Sequence, residues 1–189
     1  NLLSVASLDL VEERLAPAVR GAREKSTLLF DLLDQVLDAS GGPVLRLTDD
    51  FASHHAWDAG LRIALQDTRG EISILRDGLE MVRERLESSD TMDETSLPML
   101  SEIRAVARRL ENASDALKET LAPDAGARTV RWLESKGREK SVTATSVPLD
   151  LAPILRDELF RRVKTAIVTS ATLATDGDFS FARNRLGLT

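Results

Sequence analysis

Three small hydroxyl residues near the C-terminus could hold a ligand through hydrogen bonds. Thr169, Ser170 and Thr172 occur in the run Thr169-Ser170-Ala171-Thr172-Leu173, directly after the apolar segment 166–168. Open α/β sheets place their working residues just beyond the carboxyl ends of strands. A hydroxyl there can bond to carboxylates, phosphates or water. A polar turn between a strand and a helix explains the same short pattern, so the three residues alone do not specify a function.

Basic residues and one tryptophan are concentrated between residues 128 and 140. Cations in this segment could contact nucleic-acid phosphates, and Trp132 could stack on a base. The candidate phosphate contacts are Arg128, Arg131, Lys136, Arg138 and Lys140. Solvated surface charges and a tryptophan packed in a core or hairpin are the alternative interpretation.

A second basic group, Arg104, Arg108 and Arg109, interrupts an otherwise acidic stretch. Arg104 and Arg108 are one helical turn apart and therefore share a face of a helix. An exposed face in which these charges pair with acids explains them equally well.

The sequence offers no cysteine and only two histidines as metal ligands. It has no cysteine, which excludes disulfides and thiolate metal sites within this chain. His54 and His55 are adjacent, and adjacent side chains on a helix point about 100° apart. They are therefore poor partners for one metal ion.

Residues 1–122 show the pattern of long amphipathic helices. Apolar residues recur three, four or seven positions apart, which is the period of a helix with one buried face. Helices are predicted over residues 7–39, 49–86 and 96–122, with Pro17 breaking or kinking the first. A short extended piece is predicted over 44–47. Long helices joined by short polar connections favour an antiparallel bundle.

Residues 127–189 change to strand-like patterns. Alternating polar and apolar residues over 128–134 and a β-rich run over 141–147 predict a hairpin. A short helix over 151–162 and a strand over 166–170 then predict a strand–helix–strand unit of a parallel sheet. Such a unit has open edges, which indicates a piece of a larger α/β body that carries the helical bundle as an insertion.

The predicted fold class is therefore mostly α, with a helical bundle over residues 1–125 and a partial α/β domain over 126–189. The charge changes near the same boundary. Residues 1–122 hold 14 Lys and Arg against 23 Asp and Glu, whereas residues 123–189 hold 11 against 8. An acidic first part repels a phosphate backbone at long range, so a nucleic-acid contact there must come from local basic patches.

Four linked segments in the last third of the chain resemble the DinG/XPD family of superfamily 2 helicases. That family has a Pro-Leu-Asp strand end, then a short helix, then a strand ending in the Thr-Ser-Ala-Thr-Leu of helicase motif III. A Phe-containing segment closing on Leu-Gly-Leu follows, and the order and spacing agree here. The resembling residues are 141–150 with Pro148-Leu149-Asp150, 154–160, 166–173 with Thr169-Ser170-Ala171-Thr172-Leu173, and 179–188 with Leu186-Gly187-Leu188.

The resemblance implies an arch insertion followed by part of the first motor domain. The family carries a helical arch between motifs II and III, and residues 1–125 occupy that place. The arch closes over single-stranded DNA, while motif III couples the nucleotide state to the grip on DNA. Ser170 and Thr172 would then have a coupling role, supported by Thr169, without direct chemistry. The complete protein to which this chain would belong, called the parent below, would be an ATP-dependent DNA helicase moving 5′ to 3′ in repair or replication.

The resemblance assigns ATP and Mg²⁺ to the parent and not to this chain. The sequence has no Gly-x-x-x-x-Gly-Lys-Ser/Thr loop to cradle phosphates and no Asp-Glu-Ala-His box. No cofactor or metal is therefore expected in this chain. The expected partners are single-stranded DNA and the remaining motor domains of the same polypeptide. The lack of cysteine leaves open whether the parent carries an iron–sulfur cluster.

A helical protein–protein interaction module without motor activity is the alternative, because acidic helices suit protein partners. No apolar run approaches the roughly 20 residues that cross a bilayer, and no signal-peptide pattern is present. These features predict a cytoplasmic protein with no membrane partner, associated with the bacterial nucleoid if the family resemblance holds.

Overall fold

The computed structural model describes residues 5–88, 97–136, 141–170, 173–174 and 177–188, with only the backbone of residues 5–7. It is mostly helical with a small three-stranded antiparallel sheet, which confirms the predicted fold class. Contacts divide the chain into two compact units. The first comprises Asn1–Ala125 with Arg131–Ser146, and the second comprises Gly126–Val130 with Val147–Thr189. The functional boundary at residue 125 stays a prediction.

The first long helix continues past an internal proline. Helix α1 (Val5–Leu10) passes through a π-helical turn (Val11–Leu15) into α2 (Ala16–Ala39). Pro17 has no N–H to donate, and its ring crowds the carbonyl one turn earlier. The wider π turn lies where the regular hydrogen-bond ladder cannot continue. Pro17 therefore distorts the helix without ending it.

The second predicted helix consists of three segments. A 3-10 turn (Asp49–Ser53) and a π-helical turn (Trp57–Leu61) precede α3 (Arg62–Glu87). Gly60 has φ 162° and ψ −25°, which are not helical angles, and the chain kinks there. The regular helix therefore begins later than the prediction of 49–86.

Contacts between α2 and α3 show that these helices are antiparallel. Lys25 Nζ donates to Asp67 Oδ2 at 2.7 Å, and this hydrogen bond is the largest cause that raises the pKa of Lys25. Ten residues earlier, Leu15 packs against Gly78, where an added Cβ would lie 2.6 Å from Leu15 Cδ2. Gly78 weakens an isolated helix by up to ~1 kcal/mol relative to alanine, but here it admits the leucine side chain.

Helix α4 (Leu97–Leu121) packs antiparallel against α3, on the side away from α2. Arg69 Nε donates to Ser114 Oγ at 3.1 Å, and Arg104 Nη2 lies 3.6 Å from Glu87 Oε1. The three long helices thus form the predicted antiparallel bundle, with α3 in the middle. None of the helices in the described ranges is both long and apolar enough to span a bilayer.

Apolar side chains form one core cluster at each end of the bundle. The first cluster joins α2 and α3 to the strands and includes Leu29, Leu33, Leu37, Phe51, Leu61 and Leu133. The second cluster is smaller and includes Leu10, Leu15, Val82, Leu86 and Leu100. The helical members of both clusters follow from the periodicity of the sequence, because they recur on one face of each helix.

The three strands pair in the order β1-β2-β3, where β1 is Val44–Leu47, β2 is Thr129–Lys136 and β3 is Ser141–Pro148. The register of β1 and β2 places Leu45 opposite Leu133. Leu133 is fully buried, and Val142 and Ala144 of β3 pack against the same core. One face of the sheet therefore covers the end of the bundle. The predicted extended piece and hairpin together make this sheet.

The second unit depends on a close contact between two short helices. Helix α5 (Ala152–Ile154) continues through a π-helical turn (Leu155–Leu159) and a 3-10 turn (Phe160–Arg162), and α6 is Ser180–Leu186. Arg156 Nε donates to the Gly187 carbonyl at 3.0 Å. Gly187 has φ +71°, and an added Cβ would lie 2.1 Å from the Ala152 carbonyl oxygen. The glycine is required both by its left-handed angle and by this approach.

The strand predicted over 166–170 is wrong for this chain. Residues 165–170 have no regular secondary structure and are exposed, with Ile167 at 89% exposure. A parallel strand needs a neighbouring strand to satisfy its N–H and C=O groups. Among the described residues the sheet contains β1, β2 and β3 alone, and none of them pairs with this segment. A β-branched composition cannot form a strand without that neighbour.

Thr68, in the middle of α3, supplies a test of the bundle packing. Its side chain is fully buried, and its Oγ1 has no hydrogen-bond partner among the described residues. Because a buried hydroxyl without a partner costs free energy, we expect Thr68→Val to raise the free energy of unfolding by about 1 kcal/mol. Urea denaturation followed by circular dichroism measures the change.

The control for Thr68 is Thr27→Val, at an exposed position of α2. The same chemical change should alter stability there by no more than about 0.5 kcal/mol. A loss of stability in Thr68→Val would show that the hydroxyl has a partner and that this account of the packing is incorrect.

Candidate nucleic-acid interface

Arg131 is a structural residue of the first unit. Its side chain is 4% exposed, and Nη1 donates to the Thr120 carbonyl at 3.1 Å. Nη2 donates to the Thr48 carbonyl at 3.1 Å and lies 3.3 Å from Asp49 Oδ1. The guanidinium thus joins the end of α4 to the segment after β1. A buried cation that already bonds two carbonyls cannot also reach a phosphate at the surface, which corrects its sequence-based assignment as a phosphate contact.

The other predicted contacts occupy different places. Lys136 is exposed and Trp132 is partly buried, both on β2 in the first unit. Arg128 is exposed in the second unit, where its carbonyl accepts a hydrogen bond from the Leu149 N–H at 2.8 Å. Arg138 and Lys140 lie outside the described residues. Their contacts with DNA, like those of Arg128, Trp132 and Lys136, remain predictions.

The sheet brings a further cation beside Trp132. Arg46 of β1 lies directly opposite Trp132 in the register, and Arg46 is exposed. The pattern Val44-Leu45-Arg46-Leu47 indicated a strand, but no local signal identified β2 as its partner. Arg46 was therefore missed as a candidate, because the pairing of residues 86 positions apart is a property of the tertiary structure.

Glu134 lies on the same face of β2 as Trp132 and Lys136, since side chains alternate along a strand. Lys136 Nζ is 2.6 Å from Glu134 Oε1. The hydrogen bond from Lys136 is the largest cause that lowers the pKa of Glu134, and a hydrogen bond from Trp132 adds to it. Glu134 is therefore charged at neutral pH, on the same face as Trp132 and Lys136.

The hydroxyl residues of the Thr169–Leu173 run lie in the second unit. Thr169 and Ser170 are exposed at the end of the irregular segment 165–170, and Thr172 lies outside the described residues. The coupling role predicted for the three residues stays a prediction.

The basic group on α4 lies on its exposed surface. Arg104, Arg108 and Arg109 are all exposed, and Arg104 pairs with Glu87 of α3 at 3.6 Å. Ion pairs at such an exposed site contribute about 0–1 kcal/mol. The Arg104 contact agrees with the salt-bridged surface considered as the alternative.

The two histidines are near each other without forming a metal site. His54 Nδ1 accepts a hydrogen bond from the Ala56 N–H at 3.2 Å, and the rings of His54 and His55 are 4.4 Å apart. Within the ranges that the structure describes, no group of three or more His, Cys, Asp or Glu residues could hold a metal ion.

Comparison with known proteins finds a partial relation. A stretch of 59 residues is 39% identical to a protein of Bacillus subtilis (strain 168) described as 3′-5′ exonuclease DinG. The match covers 30% of this chain and 6% of that protein, so the chain spans a small fraction of its relative. No family model matches the chain, and no solved structure matches it. The comparison therefore supports a distant DinG-like relation over part of the chain.

The burial of Arg131 leads to a stability prediction. We expect Arg131→Met to lower the free energy of unfolding by about 3 kcal/mol, because two buried carbonyls lose a charged donor. Lys136→Met is the matched control on the same strand, and it should change stability by no more than about 0.5 kcal/mol. Urea unfolding of both variants measures the difference. Equal effects would contradict a structural role for Arg131.

Proposed function

We propose that this chain is part of a DinG-like, ATP-dependent DNA helicase. Residues 1–125 are assigned to the arch insertion, and residues 126–189 are assigned to a part of the first motor domain. The observation that carries the proposal is the 39% identity to DinG over 59 residues. In this function the protein moves 5′ to 3′ on single-stranded DNA during repair or replication.

The exposed apolar surface of the second unit supports a place inside a larger domain. Ile167 is 89% exposed, and Phe181 and Phe179 are 64% and 53% exposed. Large apolar side chains of this kind become buried where a protein surface forms an interface. The segment 165–170 has the composition of a buried strand, and it would gain hydrogen-bond partners if other strands of a motor domain lay beside it.

The helical bundle suits the role of an arch. The cross-helix pairs Lys25–Asp67 and Arg69–Ser114 tie α2, α3 and α4 into one body. A rigid bundle can close over a strand of DNA as a unit. Its acidic surface repels phosphates at long range, so the grip would come from local cations such as Lys136 and from the rest of the protein.

The residues of this chain do not fit ATP and Mg²⁺. The sequence has no phosphate-binding loop, and the described residues contain no cluster of three metal ligands. We assign nucleotide binding to other parts of the parent and assign Thr169, Ser170 and Thr172 to coupling. An iron–sulfur cluster would likewise need cysteines from outside this chain.

A protein–protein interaction module is the second candidate. It is favoured by the charge of residues 1–122, which carry 14 basic and 23 acidic side chains. Such a surface suits a basic protein partner and needs no motor. In that case the second unit would only dock the bundle onto its own polypeptide.

The complete protein that contains residues 1–189 tests the proposal. We expect DNA-stimulated ATP hydrolysis and ATP-dependent unwinding of a duplex with a 5′ single-stranded tail, but not of a duplex with a 3′ tail. Degradation from 3′ ends without unwinding would instead match the name of the Bacillus relative and contradict the helicase proposal. Neither activity, together with capture of a basic protein, would favour the interaction module.

Substitution of Ser170 in the complete protein tests the coupling role. We expect Ser170→Ala to reduce the unwinding rate at least tenfold while ATP affinity changes less than twofold, since coupling would be lost without loss of binding. Ser101→Ala, on the exposed surface of α4, is the control and should leave both unchanged. Equal loss of ATP binding and unwinding would exclude a coupling role for Ser170.

A further inference from the structure

The outer face of the three-stranded sheet places an aromatic ring between two cations. The Ser135 N–H donates to the Pro43 carbonyl at 3.0 Å, and ladder bonds in an antiparallel pair recur at every second position. Arg46 and Trp132, which are direct register partners, therefore form a non-hydrogen-bonded pair. In such pairs the Cα atoms are about 4.5 Å apart and the side chains are closest. The Arg46 side chain therefore begins next to the Trp132 side chain on this face.

Lys136 lies on the same face as Trp132, at the other end of β2. Four residues separate them, which corresponds to about 13 Å along a strand. The Lys136 side chain is 60% exposed, and it is long enough to reach back toward the indole or out toward a ligand. The face thus carries one cation across the strand pair from Trp132 and another along the strand.

The β3 edge of this face is polar and small. Ala144 of β3 packs against the core, so its neighbours Thr143 and Thr145 point outward. Threonine hydroxyls can donate to phosphate or base acceptors and leave space beside the indole. No large side chain of the described β3 residues 141–146 competes for that space, because this part of the strand is Ser-Val-Thr-Ala-Thr-Ser.

Glu134 lies on this face between Trp132 and Lys136, and its side chain is only 19% exposed. Its carboxylate pairs with Lys136 Nζ at 2.6 Å. A phosphate that binds Lys136 therefore competes with Glu134 for the ammonium group.

We propose that this face, formed by Arg46, Trp132 and Lys136, binds single-stranded nucleic acid by stacking one base on Trp132 and contacting flanking phosphates with the two cations. Alternation of aromatic stacking and basic contacts is how proteins bind single strands without reading sequence. A duplex is excluded because its bases are already stacked on each other. The choice of a nucleic acid as ligand rests on the proposed helicase function. The position of the site rests on the register of the sheet.

Charge complementarity favours this occupant. The stretch 1–122 of the chain carries a net charge of −9, from 14 basic and 23 acidic residues, and repels polyanions in general. On the outer face Arg46 and Lys136 outnumber Glu134, the acid that pairs with Lys136. A phosphate can compete for Lys136, and a base can cover the indole. An acidic peptide could use the cations but would gain little from the aromatic ring.

Tryptophan fluorescence tests the stacking directly, because the chain has two tryptophans. Trp57 packs against the core and lies edge-on to Phe51, with ring centroids 6.0 Å apart. In the Trp57→Phe variant of the 189-residue chain, Trp132 is therefore the reporter. We expect oligothymidylate to quench its emission in a saturable manner at low salt. Trp132→Phe, which retains Trp57, should show no such quenching.

Affinities of variants separate stacking from charge. Anisotropy of a labelled oligothymidylate should show about tenfold weaker binding to Trp132→Leu, which keeps apolar area but cannot stack. Arg46→Gln and Lys136→Gln should each reduce the slope of log affinity against log salt by about 0.7. Glu134→Gln should tighten binding, because it removes a negative charge from this face and frees Lys136. Arg23→Gln, an exposed cation of α2, is the matched control and should change nothing.

Three results would contradict the proposed binding site. These are binding without quenching of Trp132, equal losses from Arg23→Gln and Arg46→Gln, or equal quenching by polyglutamate, which would indicate an acidic peptide. Failure of this binding site and failure of the helicase proposal would give different results. Unwinding by the complete protein with no quenching would reject this site alone, whereas quenching without ATP hydrolysis would retain the site and reject the helicase.

Discussion

The burial of Leu133 and Arg131 on one face of β2 is the constraint on which the first unit depends. Leu133 completes the core formed by α2 and α3, and Arg131 bonds to the carbonyls of Thr120 and Thr48. Because side chains alternate along a strand, these two residues decide that Trp132 faces outward. A slip of one residue in the pairing would bury Trp132 and expose Leu133, so the core also specifies the register.

The two units differ in how completely they bury their largest apolar side chains. The first unit encloses two apolar clusters and uses cross-helix ion pairs at its surface. The second unit has the close contact of Gly187 with Ala152 but exposes Ile167, Phe179 and Phe181. Large apolar side chains are exposed in the first unit too, such as Leu97 at 56%, but none of the described ones there matches Ile167 at 89% or Phe181 at 64%. This difference supports the proposal that another surface covers the second unit.

The features predictable from sequence were those with local causes. The three long helices follow from apolar residues at helical spacing, and the distortion before Pro17 follows from its missing N–H. The strand at 166–170 failed because strand formation depends on a neighbour, which composition does not reveal. Arg131 was mistaken for a surface contact for a similar reason: its charge is visible in the sequence, but the two carbonyls that bury it come from distant segments.

The sequence by itself determined the helical bundle, the hairpin, the change of charge along the chain and a distant DinG-like relation over part of the chain. These properties are encoded by periodicity, composition and short runs of consecutive residues. Only the tertiary structure decided which cations are structural and that Arg46 lies beside Trp132. Each of these depends on strand register. Register is set by which side chains fill the core, and no single segment of the sequence contains that information.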